Sequence, residues 1–127
     1  MKEFETQIKD HLEERGWDNL RPSDLAKSII IEGAELLEIF QWENLPAEKI
    51  KQNSEKIGRI KKELADVMIY CFDMAVTLDI DVLAMLNEKL IQIRNKYPIN
   101  ISKSSNGVEP GTEDAYWNIK NQYRGPN

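Results

Sequence analysis

The chain has 127 residues, 41% apolar and 31% charged, enough for a single globular domain that buries a core. Its net charge of −5 excludes recognition of nucleic acid through a basic face, but leaves open a nucleotide substrate whose charge a metal neutralises. The single cysteine, Cys71, cannot form an internal disulfide and points to a cytoplasmic location.

The N-terminal residues Met1, Lys2, Glu3, Phe4 and Glu5 start polar, without the apolar stretch of a signal peptide. Phe4, Ile8 and Leu12 recur at helical spacing and predict a first helix over 3–15, stopped by Gly16. A loop holding Trp17, Asp18 and Arg21 follows. Pro22 is a good first-turn residue for a second helix, which is expected to reach about Glu43, with Pro46 closing it. Residues 44–53 read as a polar connection.

The third helix, over 54–78, is the longest. Ile57, Ile60, Leu64, Val67, Cys71, Ala75 and Leu78 form one stripe at three- and four-residue steps. A second stripe on the same helix is Arg59, Glu63, Asp66, Tyr70, Asp73 and Thr77. The residues between them are also apolar, so this helix is expected to be buried all round, with Cys71 in the core. The longest apolar run, residues 67–72, is far too short to span a bilayer, and no membrane association is expected. A fourth helix over 81–96 turns Leu83, Leu86, Leu90 and Ile93 inward and ends at Pro98. From Ile99 the composition shifts to Ser, Asn, Gly and Pro. This sets a domain over 1–103 apart from an arm over 104–127, with one weak helical turn near 112–121. The fold class is therefore all-α, a four-helix bundle with an extended C-terminal arm.

Two segments repeat one layout: acid, acid three residues on, aromatic seven residues on. The first is Glu35, Glu38 and Trp42; the second is Glu63, Asp66 and Tyr70. Residues at these spacings share a helix face. If the second and third helices pack antiparallel, four carboxylates meet at one level. Acids set in apolar surroundings repel one another and lose hydration, so they need a counter-charge. Hard oxygen ligands suit Mg²⁺ or Mn²⁺. The competing reading pairs these acids with Arg59, Lys61 and Lys62 at the surface.

The run from Glu32 to Trp42, EGAELLEIFQW, and the run from Glu63 to Tyr70, ELADVMIY, resemble the MazG-like all-α nucleoside triphosphate pyrophosphohydrolases, nearest to the dCTP pyrophosphatase group. That family carries E-x-x-E, a spacer, then E-x-x-D. The Phe40-Gln41-Trp42 ending, the Trp17 and Pro22 region and the Lys96-Tyr97-Pro98 ending add to the likeness, which covers about residues 5–103. The resemblance implies Mg²⁺-dependent hydrolysis of a (deoxy)nucleoside triphosphate, dCTP or a modified pyrimidine nucleotide among the candidates, to the monophosphate and pyrophosphate. Carried over by position, it implies Glu35, Glu38, Glu63 and Asp66 as metal ligands, and Glu32 or Glu35 as the group that deprotonates water. It further implies Trp17, Trp42 and Tyr70 around base and sugar, and Lys89, Arg94 and Lys96 on the phosphates.

One departure bears on substrate choice. Relatives often carry Asn five residues before the Pro of the KYP ending, where this chain has Ile93; Asn95 or Asn87 is then the substitute. Relatives also carry a His before the second helix, where this chain has Asn19 or Arg21. The apolar surface of the second and third helices exceeds what one short bundle covers. A homodimer or dimer of dimers with a shared core is expected, as in the family. A di-iron bundle is disfavoured because the lone His11 lies outside the motif helices. A non-catalytic helical interaction module is disfavoured because buried acids without metal only cost stability.

Overall fold

The structure is a computed structural model that describes residues 1–99. The described residues are helical and contain no strand: α1 (Lys2–Glu14), α2 (Pro22–Glu38), α3 (Ala47–Lys51), α4 (Ser54–Thr77) and α5 (Val82–Lys96). The four expected helices are all present, and the all-α class holds. Two differences are physical. The second helix ends at Glu38, not near Glu43, and residues 39–42 continue as turns. The connection over 44–53 contains the five-residue α3, begun by Pro46 and closed at Gln52. No described helix is long and apolar enough to cross a membrane. The expected arm over 104–127, with its helical turn near 112–121, lies outside the described residues.

The chain divides into two compact units, Met1–Val82 and Leu83–Asn127. Within the first, Ile8 and Leu12 of α1 pack with Phe72 and Ala75 of α4 and with Val82; Leu20 and Val76 flank them. Phe4 meets the Phe72 ring edge-on, with centroids 5.0 Å apart. Both helix ends that aim α1 and α4 at this core close in the same way. After α1, the Trp17 N–H reaches the Leu12 carbonyl and the Gly16 N–H reaches Glu13; after α4, Ile80 reaches Ala75 and Asp79 reaches Val76. This paired closure needs a left-handed residue at its corner. Gly16 (φ 68°) supplies it without strain, whereas Asp79 (φ 55°) does so as a non-glycine residue. The Glu5 carboxylate accepts from the Val82 N–H at 3.1 Å, and Lys2 pairs with Asp81 at 3.1 Å, fastening α1 to the residues that follow α4.

α2 and α4 pack antiparallel. Lys56, at the start of α4, holds Glu43, just past α2, at 2.7 Å. Further along, Glu63 meets Glu35 and Asp66 meets Glu32. Asp73, near the end of α4, shares a cavity wall with Leu25 at the start of α2. As one index rises the other falls, the arrangement expected for the two acid-bearing helices. Lys56 also lies over the Phe40 ring at 5.6 Å, and its backbone N–H is capped by Asn53 Oδ1 at 3.0 Å. One side chain thus pins the turn after α2 to the first turn of α4.

The third predicted helix was expected to be buried all round, and that is corrected here. On α4 only Phe72, Asp73 and Ala75 are fully buried; Leu64, Met68 and Leu78 are exposed, and so is Cys71, which is not a core residue. On α2, Ile30 and Leu37 are about 70% exposed (72% and 68%). The reason is geometric. α1 and α2 cover one side of α4, and the 24-residue helix carries apolar residues on the other side as well. Within the second unit, the Tyr97 N–H donates to the Ile93 carbonyl, adding one bond to the end of α5.

Candidate active site

The antiparallel register brings acids of α2 and α4 face to face. Oxygens of Glu32, Glu63 and Asp66 all lie within 4.8 Å of one another, and all three side chains are half-buried. Ligands about 2.1 Å from an octahedral Mg²⁺ stand about 4 Å apart when opposite, so this spacing is close to what one ion needs. Oε2 of Glu32 and Oε2 of Glu63 are enclosed and have no hydrogen-bond partner. Glu35 lies beside Glu63 as the fourth acid.

Expected ligands and observed grouping differ by one helical turn. Glu63 and Asp66 are gathered as expected, and Glu35, exposed, lies beside Glu63. Glu38 is exposed at the last residue of α2 and lies outside the group, whose place Glu32 takes. Glu32, Glu35 and Glu38 are evenly spaced by three, so the sequence contains two overlapping E-x-x-E pairs and no local signal chooses between them. The choice is made by where α4 crosses α2.

The charge environment favours a cation. Among the described residues no ion pair joins Arg59, Lys61 or Lys62 to any of these acids; the ion pairs of α2, α4 and the turn between them are Lys27 with Asp24 and Lys56 with Glu43. Burial pushes the Glu63 carboxyl above its ordinary pKa. The adjoining Glu35 carboxyl and repulsion from Asp66 push the same way; Lys62 opposes them. The donor set therefore fits a hard divalent cation: carboxylate oxygens only, some of them unsatisfied, with mutual repulsion that a cation would relieve.

A cavity of about 420 Å³ adjoins the acids and shares Asp66 with them. That volume falls within the range of small-molecule sites. Trp17 from the loop after α1 and Tyr70 from α4 give it two aromatic walls, and Leu20 and Leu25 give it an apolar base. His11, expected as an exposed helical residue, is exposed, and it also lines this cavity with its ring edge-on to Trp17 at 6.0 Å. Trp42 does not continue the α2 face: the helix has ended four residues earlier, and its side chain is 87% exposed. Lys89, Arg94, Asn95 and Lys96 lie on α5, in the second compact unit, where Lys96 sits over the Tyr97 ring at 5.5 Å. Asp73 was not singled out as a site residue, although it belongs to the stripe of Glu63, Asp66 and Tyr70; that shared face was the available signal.

Comparison with known proteins finds relatives by family profile, by sequence and by structure. The profile of the MazG-like family matches residues 27–107. dCTP pyrophosphatase 1 of Rattus norvegicus is 30% identical over 95 residues, which span 72% of this chain and 55% of that protein. The dCTP pyrophosphatase 1 of Homo sapiens matches at the same identity and coverage. The chain thus spans about half the length of these relatives. Among solved structures, a pyrophosphatase from Archaeoglobus fulgidus superposes with a TM-score of 0.67 at 34% identity, covering 77% of this chain and 92% of that one.

The raised pKa of Glu63 has a definite sign in stability. Ionised Glu63 costs folding free energy; the cost is absent below its unfolded pKa, sets in as pH rises through the interval up to the raised folded value, and is full above it. Glu63→Gln should therefore raise the melting temperature of the metal-free protein near neutral pH, with the gain vanishing toward about pH 4. Mg²⁺ at about 100 times its Kd should stabilise the wild type by about 2.7 kcal/mol and the variant much less. Superimposable melting curves for the two proteins, with and without Mg²⁺, would contradict this.

Proposed function

The chain belongs to the MazG-like family, and from that premise we propose that it is a Mg²⁺-dependent nucleotide pyrophosphohydrolase. Water adds across the α–β anhydride of a (deoxy)nucleoside triphosphate, yielding the monophosphate and pyrophosphate. dCTP or a modified pyrimidine nucleotide is the leading substrate, and removal of surplus or non-standard nucleotides in the cytoplasm is the leading role. The observation that carries this reading is the meeting of Glu32, Glu63 and Asp66, with two unsatisfied oxygens, at the mouth of an aromatic-walled cavity.

Each residue has a task in this reading. Glu32, Glu63 and Asp66 hold the cation, with Glu35 completing the set; Mn²⁺ fits the same oxygens. When bound, the cation neutralises phosphate charge and makes water a competent nucleophile at neutral pH. The proton that water gives up goes to Glu32 or Glu35, both at the acidic group. Trp17 and Tyr70 hold base and sugar between them, whereas Trp42, exposed in the turn after α2, is left without a contact at this cavity. Lys89, Arg94 and Lys96 are the candidates for phosphate contact, and Asn95 is a candidate for a further substrate contact. Glu38 is left without a direct role.

The test is a panel of nucleoside triphosphates incubated with Mg²⁺ and assayed for pyrophosphate. At least one should be cleaved, with chelator abolishing turnover. Glu63→Gln and Asp66→Asn should each lower kcat/KM by at least about 100-fold, beyond the loss typical of residues that only support a ligand. Absence of pyrophosphate from every triphosphate would remove the enzyme reading.

The same reading includes a homodimer or dimer of dimers. Ile30 and Leu37 form one exposed stripe on α2, and Leu64, Met68 and Cys71 another on α4. Such contiguous apolar surface marks an interaction site on a soluble domain. Sedimentation at micromolar concentration should give a dimer or larger species, and a monomer would contradict the shared core.

A further inference from the structure

Asp73 is the buried polar residue of the described chain, 7% exposed, and its Oδ1 is enclosed without a hydrogen-bond partner. It lines the same cavity as Trp17 and Tyr70. A buried carboxyl with unmet hydrogen-bonding capacity is expensive to keep, and replacement by an apolar residue of similar size would normally stabilise a core. Burial accordingly pushes its pKa up, and the nearby charge of His11 opposes the push. His11 does not resolve the problem: it is exposed, and no ion pair or hydrogen bond joins it to Asp73 among the described residues.

The other acids and the serine at this cavity are occupied. Asp24 pairs with Lys27 at 3.6 Å, and the Ser28 hydroxyl donates to the Asp24 carbonyl at 3.1 Å. Asp66 belongs to the acidic group. Asp73 lies seven residues beyond Asp66 on the same face of α4, about 10 Å along the axis at about 1.5 Å per residue. A nucleotide with its phosphates at the Asp66 end places its base at the Asp73 end, with Tyr70 between.

Aromatic walls do not choose among bases, because every base has a π-face to stack. Choice requires a polar group at the base edge. An ionised carboxylate only accepts hydrogen bonds, so Asp73 in that form suits an exocyclic amino group. A keto oxygen opposite it would face an acceptor and leave the buried group unpaired, a mismatch that polar sites reject strongly. We propose that Asp73 is the specificity-determining residue of the cavity, accepting a hydrogen bond from the exocyclic amino group of the substrate base and so favouring amino-bearing over keto bases. This rests on the nucleotide reading of the site and adds to it the group that reads the base.

The experiment uses calorimetric binding of monophosphates to the full chain, which needs no turnover. The pairs are dCMP against dUMP and dAMP against dIMP, each differing by an amino-to-keto exchange. The wild type should bind the amino-bearing member of at least one pair about tenfold or more tightly. Asp73→Asn, whose amide can also donate to a keto oxygen, should bring that ratio close to one. Asp73→Ala, which offers neither donor nor acceptor, should do the same if the Asn variant fails to fold. Equal binding within both pairs by the wild type, no binding of any of the four, or a ratio unchanged in the variants would overturn the proposal. A purely structural Asp73 would shift melting temperature and leave the ratio untouched. A base preference that depends on Asp73 without any triphosphate hydrolysis would instead remove the enzyme reading and keep this one.

Discussion

Four carboxylates gathered between two antiparallel helices, with no basic residue paired to them among the described residues, are the constraint on which the rest of this structure turns. Glu32, Glu63 and Asp66 lose hydration as α2 and α4 approach, and the exposed Glu35 adds its charge beside Glu63. Helix packing alone gives no reason to hold Glu32, Glu63 and Asp66 together, because apolar residues at those positions would bind the helices more tightly. A divalent cation would relieve this repulsion, and the enclosed oxygens of Glu32 and Glu63, which have no hydrogen-bond partner, are donors it would take.

The fold is organised to hold this grouping in register. Lys56 ties the turn after α2 to the start of α4 through Glu43 and Phe40. At the other end, α1 packs Ile8 and Leu12 against Phe72 and Ala75 and brings the Trp17 loop beside Tyr70. The acids lie between these two fixed points. The same face of α4 then continues past them through Tyr70 to Asp73, so one helix carries the acids and the buried Asp73 in linear order. The apolar residues left exposed on α2 and α4 follow from the same arrangement, because this helix pair turns acids toward its own interface.

Much of this was legible in the sequence, for identifiable reasons. The lengths and positions of α1, α4 and α5 follow from strong three-to-four periodicity and from Gly16 and Pro98 as stops. The acid-bearing stripe of α4 was visible as a stripe. The end of α2 was not, because residues 39–42 keep helical turns and an apolar pattern without the helix continuing; this moved Trp42 off the expected face. The ligand pair on α2 was ambiguous by one turn, since Glu32, Glu35 and Glu38 are equivalent in spacing and only the crossing with α4 separates them. Cys71 was misplaced because periodicity reports which residues are apolar, not whether the surface that covers them belongs to the same chain. Asp73 went unnoticed because nothing local marks a carboxyl as unpartnered; that property exists only once α1 and α2 close around it.

The most direct test of the central claim is proton release on Mg²⁺ binding. Oxygen ligands must shed protons before they bind a cation, and Glu63 holds its proton to a higher pH than an ordinary carboxyl. Titration calorimetry of the full chain with MgCl₂, in buffers of different ionisation enthalpy, counts those protons. The account predicts saturable binding with proton release that grows as pH is lowered from neutrality into the range where Glu63 titrates, and that Glu63→Gln largely removes. Binding with no proton release at any pH, or release unchanged by Glu63→Gln, would contradict it.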